Sequence, residues 1–177
     1  MAAGSSLKQI FWAVYINEQH FPSTTALPIV AVNTVCNSLN SVLAILAFSS
    51  PAAKSSFPQP QLIAGAAIYI PAMLVDAYSE VQRKVFKANP RNKGKCYTGG
   101  LWSLARHINY TGFILWRGSY TMASGGWIPG ILMTGWFFQD FGRRAIPILD
   151  QYCTTRYGSQ WDAFKQQTPS KLIPRIW

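Results

Sequence analysis

Residues 21–53 read FPSTTALPIVAVNTVCNSLNSVLAILAFSSPAA, 33 positions without one charged side chain. A hydrocarbon core about 30 Å thick is crossed by roughly 20 mostly apolar helical residues, so this stretch predicts a membrane span over 26–48. Outward from it, 55–75 and 118–139 are also free of charge. They predict further spans at 61–80, 101–122 and 127–148. Ser124, Gly125 and Gly126 supply the tight turn between the last two, because glycine reaches backbone angles closed to other residues. The expected fold is an all-α, polytopic membrane helix bundle of about four transmembrane helices. Before it, Leu7, Ile10, Phe11 and Val14 recur at i, i+3, i+4 and i+7, which predicts a short helix lying in the membrane interface rather than a cleavable signal. The organisation expected is an N-terminal interfacial segment, 1–25, followed by a membrane-integral domain, 26–177, with a cytosolic tail.

Composition points the same way. Only 12% of the 177 residues are charged, about half the usual share for a soluble domain, and the apolar content excludes a disordered chain. The 16 Lys and Arg outnumber the 6 Asp and Glu, for a net charge of +10. That excess clusters: Arg83, Lys84, Lys87, Arg91, Lys93 and Lys95 fall between spans two and three, and Arg143, Arg144, Arg156, Lys165, Lys171 and Arg175 close or follow span four. Positive-inside counting therefore puts both termini and the basic loop in the cytosol. Basic residues confined to short loops, with no recognition helix, disfavour nucleic acid as a partner. The expected partners are the bilayer and a lipophilic small molecule. Cys36, Cys96 and Cys153 show no C-x-x-C spacing and make no disulfide framework, and two histidines, His20 and His107, make a metal site improbable.

Polar residues inside spans are expensive in lipid and face protein or a cavity. Asn33, Asn37 and Asn40 share one helical face, either bonding a neighbouring helix or lining a substrate cavity. Asp76 and Glu80 sit one turn apart at the cytosolic end of span two, where Arg83, Lys84 or Lys87 can pair with them. In span three, Arg106, His107, Asn109 and Tyr110 form a polar cluster, with Arg117 further along.

The run Glu80, Gln82, Arg83, Phe86, Lys87, then Pro90, Asn92, Lys93, Gly94, then Gly100-Leu101-Trp102 and Arg106-His107-Ile108-Asn109-Tyr110-Thr111-Gly112 resembles the carboxy-terminal domain of the steroid 5-alpha-reductase and sterol-reductase superfamily. It is most similar to the small branch marked by Arg-His-Pro-Asn-Tyr-x-Gly-Glu. Ile146-Pro147, Asp150, Arg156-Tyr157-Gly158, Trp161, Phe164, Pro169 and Ile173-Pro174 resemble that family's closing pattern. Ile108 stands where the family usually has proline, and Phe113 where the reductases usually have glutamate. The isoprenylcysteine carboxyl methyltransferases share a related motif and a similar size.

The resemblance implies a membrane enzyme, and ligand charge helps separate two reactions. NADPH carries phosphates, and without a G-x-G-x-x-G fingerprint these would need side-chain cations. Arg83, Lys87 and Arg106 are expected to supply them, with Arg143 and Arg144 nearby, because arginine matches phosphate as a fork. By resemblance, Asn92, Trp102, His107, Asn109 and Tyr110 would also contact the cofactor, and Asp150 with Tyr157 would close its pocket. The preferred expectation is hydride transfer from NADPH to an activated carbon-carbon double bond in a sterol, terpenoid, polyketide or fatty acyl substrate. Tyr110 and Glu80 would handle the proton. The alternative cofactor is S-adenosylmethionine, for methyl transfer, and a third reading is a membrane protein that keeps the fold without redox chemistry. The default location is the endoplasmic reticulum.

Overall fold

The computed structural model describes residues 1–18, 22–49 and 57–177; His20 and Lys54 lie outside them. The described residues are helical, with no strand among them. The elements are α1 (Ala2–Phe11), continued by a π-helical turn at Trp12–Ile16, α2 (Ser23–Ser49), α3 (Pro60–Ala88), α4 (Ile108–Gly125), α5 (Trp127–Asp140), α6 (Ile146–Tyr157) and α7 (Ser159–Gln167). Short 3-10 turns occupy Pro90–Asn92 and Gly100–Ser103, and a second π-helical turn fills Phe141–Ala145.

Two of the four expected spans stand as helices long and apolar enough to cross a membrane, Ala26–Ser49 and Pro60–Ala88. The third starts later than expected. Gly100 has a positive φ of 58°, and the Trp102 indole donates to the Ser79 carbonyl at 2.8 Å. This turn and anchor occupy 100–107, so Arg106 and His107 lie ahead of α4 rather than inside it. The fourth expected span is not one α-helix: α5 stops at Asp140, and the 14 residues of α5 rise only about 21 Å at 1.5 Å each, short of the hydrocarbon thickness. A π turn widens the coil before α6 takes over, with Pro147 in its first turn, where its missing N–H costs nothing. The turn expected at 124–126 is present, with Gly126 at φ 98°.

The chain divides into two compact units. Unit 1 holds Met1–Tyr69 and Arg117–Met133. In it Ser5 and Tyr69 hydroxyls bond at 3.0 Å, the Tyr69 hydroxyl donates to the Met1 carbonyl at 2.8 Å, and Gln9 donates to Asn33 at 2.8 Å. Leu7 and Ile10 on α1 and Val14 on the π turn that continues it are exposed. Gly65 lets α3 approach α4 so closely that a Cβ there would lie 2.7 Å from the Ser119 carbonyl oxygen.

Unit 2 holds Ile70–Trp116 and Thr134–Trp177. Its core joins buried Trp102, Ala105, Ile108, Cys153, Trp161 and Phe164. Gly112 repeats the close approach of Gly65: a Cβ on it would sit 2.6 Å from the Asp76 backbone nitrogen. Small residues at such points let helix backbones pack together.

Candidate functional site

Unit 2 gathers the whole set of cofactor residues expected from the sequence, together with Glu80. The last turns of α3 carry Glu80, Arg83 and Lys87; the loop carries Asn92; the 3-10 turn carries Trp102; α4 and its approach carry Arg106, His107, Asn109 and Tyr110; α6 carries Asp150 and Tyr157.

Glu80 is the buried carboxylate of the group. Its Oε1 accepts from Asn109 Nδ2 at 3.0 Å and lies 3.6 Å from Arg83, while Oε2 is buried and accepts no hydrogen bond. Arg83 also lies over the Trp102 ring, 5.0 Å from its centroid. His107 is 1% exposed. Its ring stacks on Tyr110 at 5.5 Å and 11°, and both ring nitrogens are without partners. Burial, with the Arg106 charge next in weight, pushes this imidazole down to about 4. It is therefore neutral at physiological pH, offering one donor and one acceptor.

The other expected ligands are engaged within the unit. Arg106 gives Nη1 to the carbonyls of Thr168 at 2.5 Å and Pro169 at 3.0 Å. Lys87 donates to the Tyr157 hydroxyl and lies over that ring. Asn92 donates to the Phe86 carbonyl at 3.0 Å, and Asp150 accepts from the Trp161 indole at 2.8 Å. Arg144 forks onto Asp140 at 2.7 and 2.6 Å. Arg91, Lys93, Lys95 and Arg143 are exposed.

Phe113 is surrounded by rings: Trp116 at 5.2 Å, Phe137 at 5.3 Å and Phe141 at 5.4 Å. Tyr110 meets Phe141 at 4.4 Å. The π turn delivers Phe141 to this cluster, so Phe113 stands in an aromatic wall.

The asparagine face of α2 belongs to unit 1. Asn33 accepts from Gln9, and Asn37 Oδ1 accepts from the buried Arg117 at 3.0 Å. Asn40 is 1% exposed and its Oδ1 has no partner. Two of the three amides thus perform interhelical bonding. Among the described residues no three His, Cys, Asp or Glu side chains group as metal ligands, and the three cysteines are free thiols.

Several contacts had no signal in the sequence. Asp76 accepts from the Trp116 indole at 2.9 Å. Gln82 accepts from Leu101 N at 3.0 Å and so fixes the loop before Trp102. Segment 168–172 gives backbone carbonyls to the approach of α4, as described below.

Residues 9–168 match the family model described as "Protein of unknown function (DUF1295)". The chain belongs to this family. Its relatives place it within the steroid 5-alpha-reductase and sterol-reductase-related superfamily. A protein of Ustilaginoidea virens named "Probable O-methyltransferase ustE" is 40% identical over 98% of this chain, which spans 61% of that protein. "7-dehydrocholesterol reductase" of Danio rerio is 30% identical over 48% of the chain and 18% of its own length. "Delta(14)-sterol reductase erg24A" of Aspergillus fumigatus is 27% identical over 47% of the chain and 22% of its own length.

Proposed function

We propose that this DUF1295 protein is a polytopic membrane enzyme that transfers a methyl group from S-adenosylmethionine to a hydroxyl oxygen of a lipophilic acceptor. One observation carries the choice between cofactors. The buried atoms that unit 2 leaves unbonded are a carboxylate oxygen of Glu80, both nitrogens of His107 and Nε of Arg106, whereas Arg83, Lys87, Arg144 and the Nη1 of Arg106 are already engaged. An interior with a spare carboxylate and a neutral imidazole favours a cationic, hydroxyl-rich ligand over a polyanion. S-adenosylmethionine has a sulfonium, an amino group and ribose hydroxyls; NADPH brings a pyrophosphate and a further phosphate. The relative named as a probable O-methyltransferase, matched over nearly the whole chain, favours the same choice.

S-adenosylmethionine, when bound, would supply an electrophilic methyl group and depart as the neutral thioether. Glu80 Oε2 accepts the proton from the acceptor hydroxyl as its oxygen bonds to the methyl carbon. Asn109 holds the other carboxylate oxygen and so aims Oε2. Tyr110, Phe113 and Phe141 form an apolar wall beside the reacting atoms and exclude water; holding both partners in contact supplies much of the rate. His107 contributes a hydrogen bond to the cofactor. In this reading Ala26–Ser49 and Pro60–Ala88 cross the bilayer, and both termini and the basic loop face the cytosol at the endoplasmic reticulum.

A second reading, NADPH-dependent reduction of an activated carbon-carbon double bond, draws support from the sterol reductases matched over about half the chain. The exposed Arg91, Lys93, Lys95 and Arg143 would then meet the phosphates, and Tyr110 or Glu80 would deliver the proton.

The test uses detergent-solubilised protein, methyl-labelled S-adenosylmethionine and an organic extract of host membranes. Label entering organic-soluble product is expected, and oxidation of NADPH by the same extract without labelling would replace this reading with the second.

A further inference from the structure

Five consecutive backbone carbonyls, those of residues 168–172, are all spent on the short stretch 106–111. Arg106 Nη1 takes the carbonyls of Thr168 and Pro169. The backbone N–H groups of Arg106 and His107 donate to Ser170 and Lys171 at 3.0 and 2.9 Å, and the Thr111 hydroxyl donates to Leu172 at 2.6 Å. The segment is itself held from behind. Leu172 N and Ile173 N donate to the Trp177 carbonyl at 2.9 and 2.8 Å, Arg175 N donates to the Ser170 hydroxyl at 2.9 Å, and the Trp177 ring packs on Phe138 at 5.2 Å. Arg175 sits at φ 64°, a left-handed conformation uncommon outside glycine.

This strap lies where the candidate site is most in need of support. His107 makes no side-chain hydrogen bond, so its ring is located by stacking and by its backbone bond to Lys171. Two residues on, Asn109 holds Glu80. We propose that Arg106 is a positioning residue: by tying down the strap 168–172 it fixes His107 and Asn109, and through them Glu80, in the geometry that binds the cofactor. Arg106 is 6% exposed, and its Nη1 is spent on two backbone carbonyls, which are poor company for a phosphate. The placement of the cofactor rests on the methyl-transfer reading; the tie between Arg106 and the strap does not.

The experiment compares full-length wild type with Arg106→Gln, Arg106→Lys and Thr111→Val, all in detergent below their melting temperatures. It reads hydrogen exchange of segments 106–111 and 168–177 together with equilibrium binding of S-adenosylmethionine and of NADPH. Arg106→Gln is expected to speed exchange in both segments and to weaken S-adenosylmethionine binding at least tenfold. Thr111→Val, which removes one tie and no charge, is expected to do the same to a lesser degree, about threefold. Arg106→Lys keeps the charge yet reaches one carbonyl at most, and is expected to resemble Arg106→Gln. Unchanged exchange in Arg106→Gln would overturn the proposal. So would loss of NADPH binding in Arg106→Gln, rescued by Arg106→Lys, with exchange intact, because that pattern belongs to a phosphate ligand. If wild type binds no S-adenosylmethionine, the methyl-transfer reading fails, and the exchange of the two segments still decides the role of Arg106.

Discussion

The two units use the same kinds of polar residue in opposite ways. In unit 1 buried and half-buried polar groups meet across helices: Ser5 with Tyr69, Gln9 with Asn33, Arg117 with Asn37. Among the described residues Asn40 Oδ1 is one exception. In unit 2 a carboxylate oxygen of Glu80 and the entire imidazole edge of His107 are buried without a bond, beside neighbours such as Trp102 and Asn109 that are well bonded. A buried polar group left unsatisfied costs about 1–3 kcal/mol. Unit 1 avoids most of that cost by pairing, whereas unit 2 bears it around one spot. In the methyl-transfer reading, the difference separates residues that hold helices together from residues that would meet a ligand.

The comparison breaks most visibly at Glu80. Replacement Glu80→Gln preserves size and the possibility of a bond to Asn109, but its amide accepts no proton. Methyl transfer is expected to fall by about 10²- to 10⁴-fold, the usual contribution of a general base, with the far-ultraviolet helical signal unchanged. Activity within threefold of wild type would move Glu80 to the paired, structural class.

His107 gives the next largest effect, and its sign is fixed. With the folded imidazole down at about 4 and an unfolded value near 6.5, the unfolded chain binds more protons between those values. Stability therefore falls as pH drops from about 6.5 toward 4, by up to roughly 3 kcal/mol. Thermal melts of wild type and His107→Phe across that window should diverge, the variant losing this part of the acid sensitivity. Parallel curves would mean that His107 is protonated or bonded in the fold.

Smaller effects are expected in unit 1. Asn37→Ala removes the acceptor of a buried arginine and should cost about 1.5–3 kcal/mol of stability, the range for bonds to charged groups. Asn33→Ala breaks a neutral bond to Gln9 and should cost about 0.6 kcal/mol, the average for interhelical bonds in membranes. Both are read from melting temperatures. A fall in activity at temperatures where either variant is fully folded would return that asparagine to the substrate cavity.

These contrasts also mark what the sequence made legible. The charge-free run 21–53 contains α2, and Ser124-Gly125-Gly126 ends α4 with the expected turn, because both depend on local chemistry. The run from Glu80 to Gly112 led to the family, and its candidate residues converge in unit 2. The start of α4 was hidden: the sequence predicts a span over 101–122, but the break before Ile108 is made by the Trp102 indole reaching Ser79, 23 positions away. The end of α5 was hidden likewise, since a π turn carries no distinctive residue pattern. Engagement of Arg106 with the strap left no trace, for a backbone carbonyl is the same in every residue type. Nor could the residues alone tell Asn33 and Asn37 from Glu80, because pairing depends on which helix arrives opposite.

In the methyl-transfer reading, the unbonded Glu80 oxygen and the neutral His107 imidazole of unit 2 receive a cationic cofactor, while Arg83, Lys87, Arg106 and Arg144 are engaged by the protein itself. Equilibrium binding of S-adenosylmethionine and NADPH to the same detergent-solubilised protein tests it most directly. Saturable S-adenosylmethionine binding at micromolar concentration, abolished or strongly weakened in Glu80→Gln and not displaced by NADPH, is the predicted result. Saturable NADPH binding that displaces S-adenosylmethionine, or that occurs in its place, would contradict it.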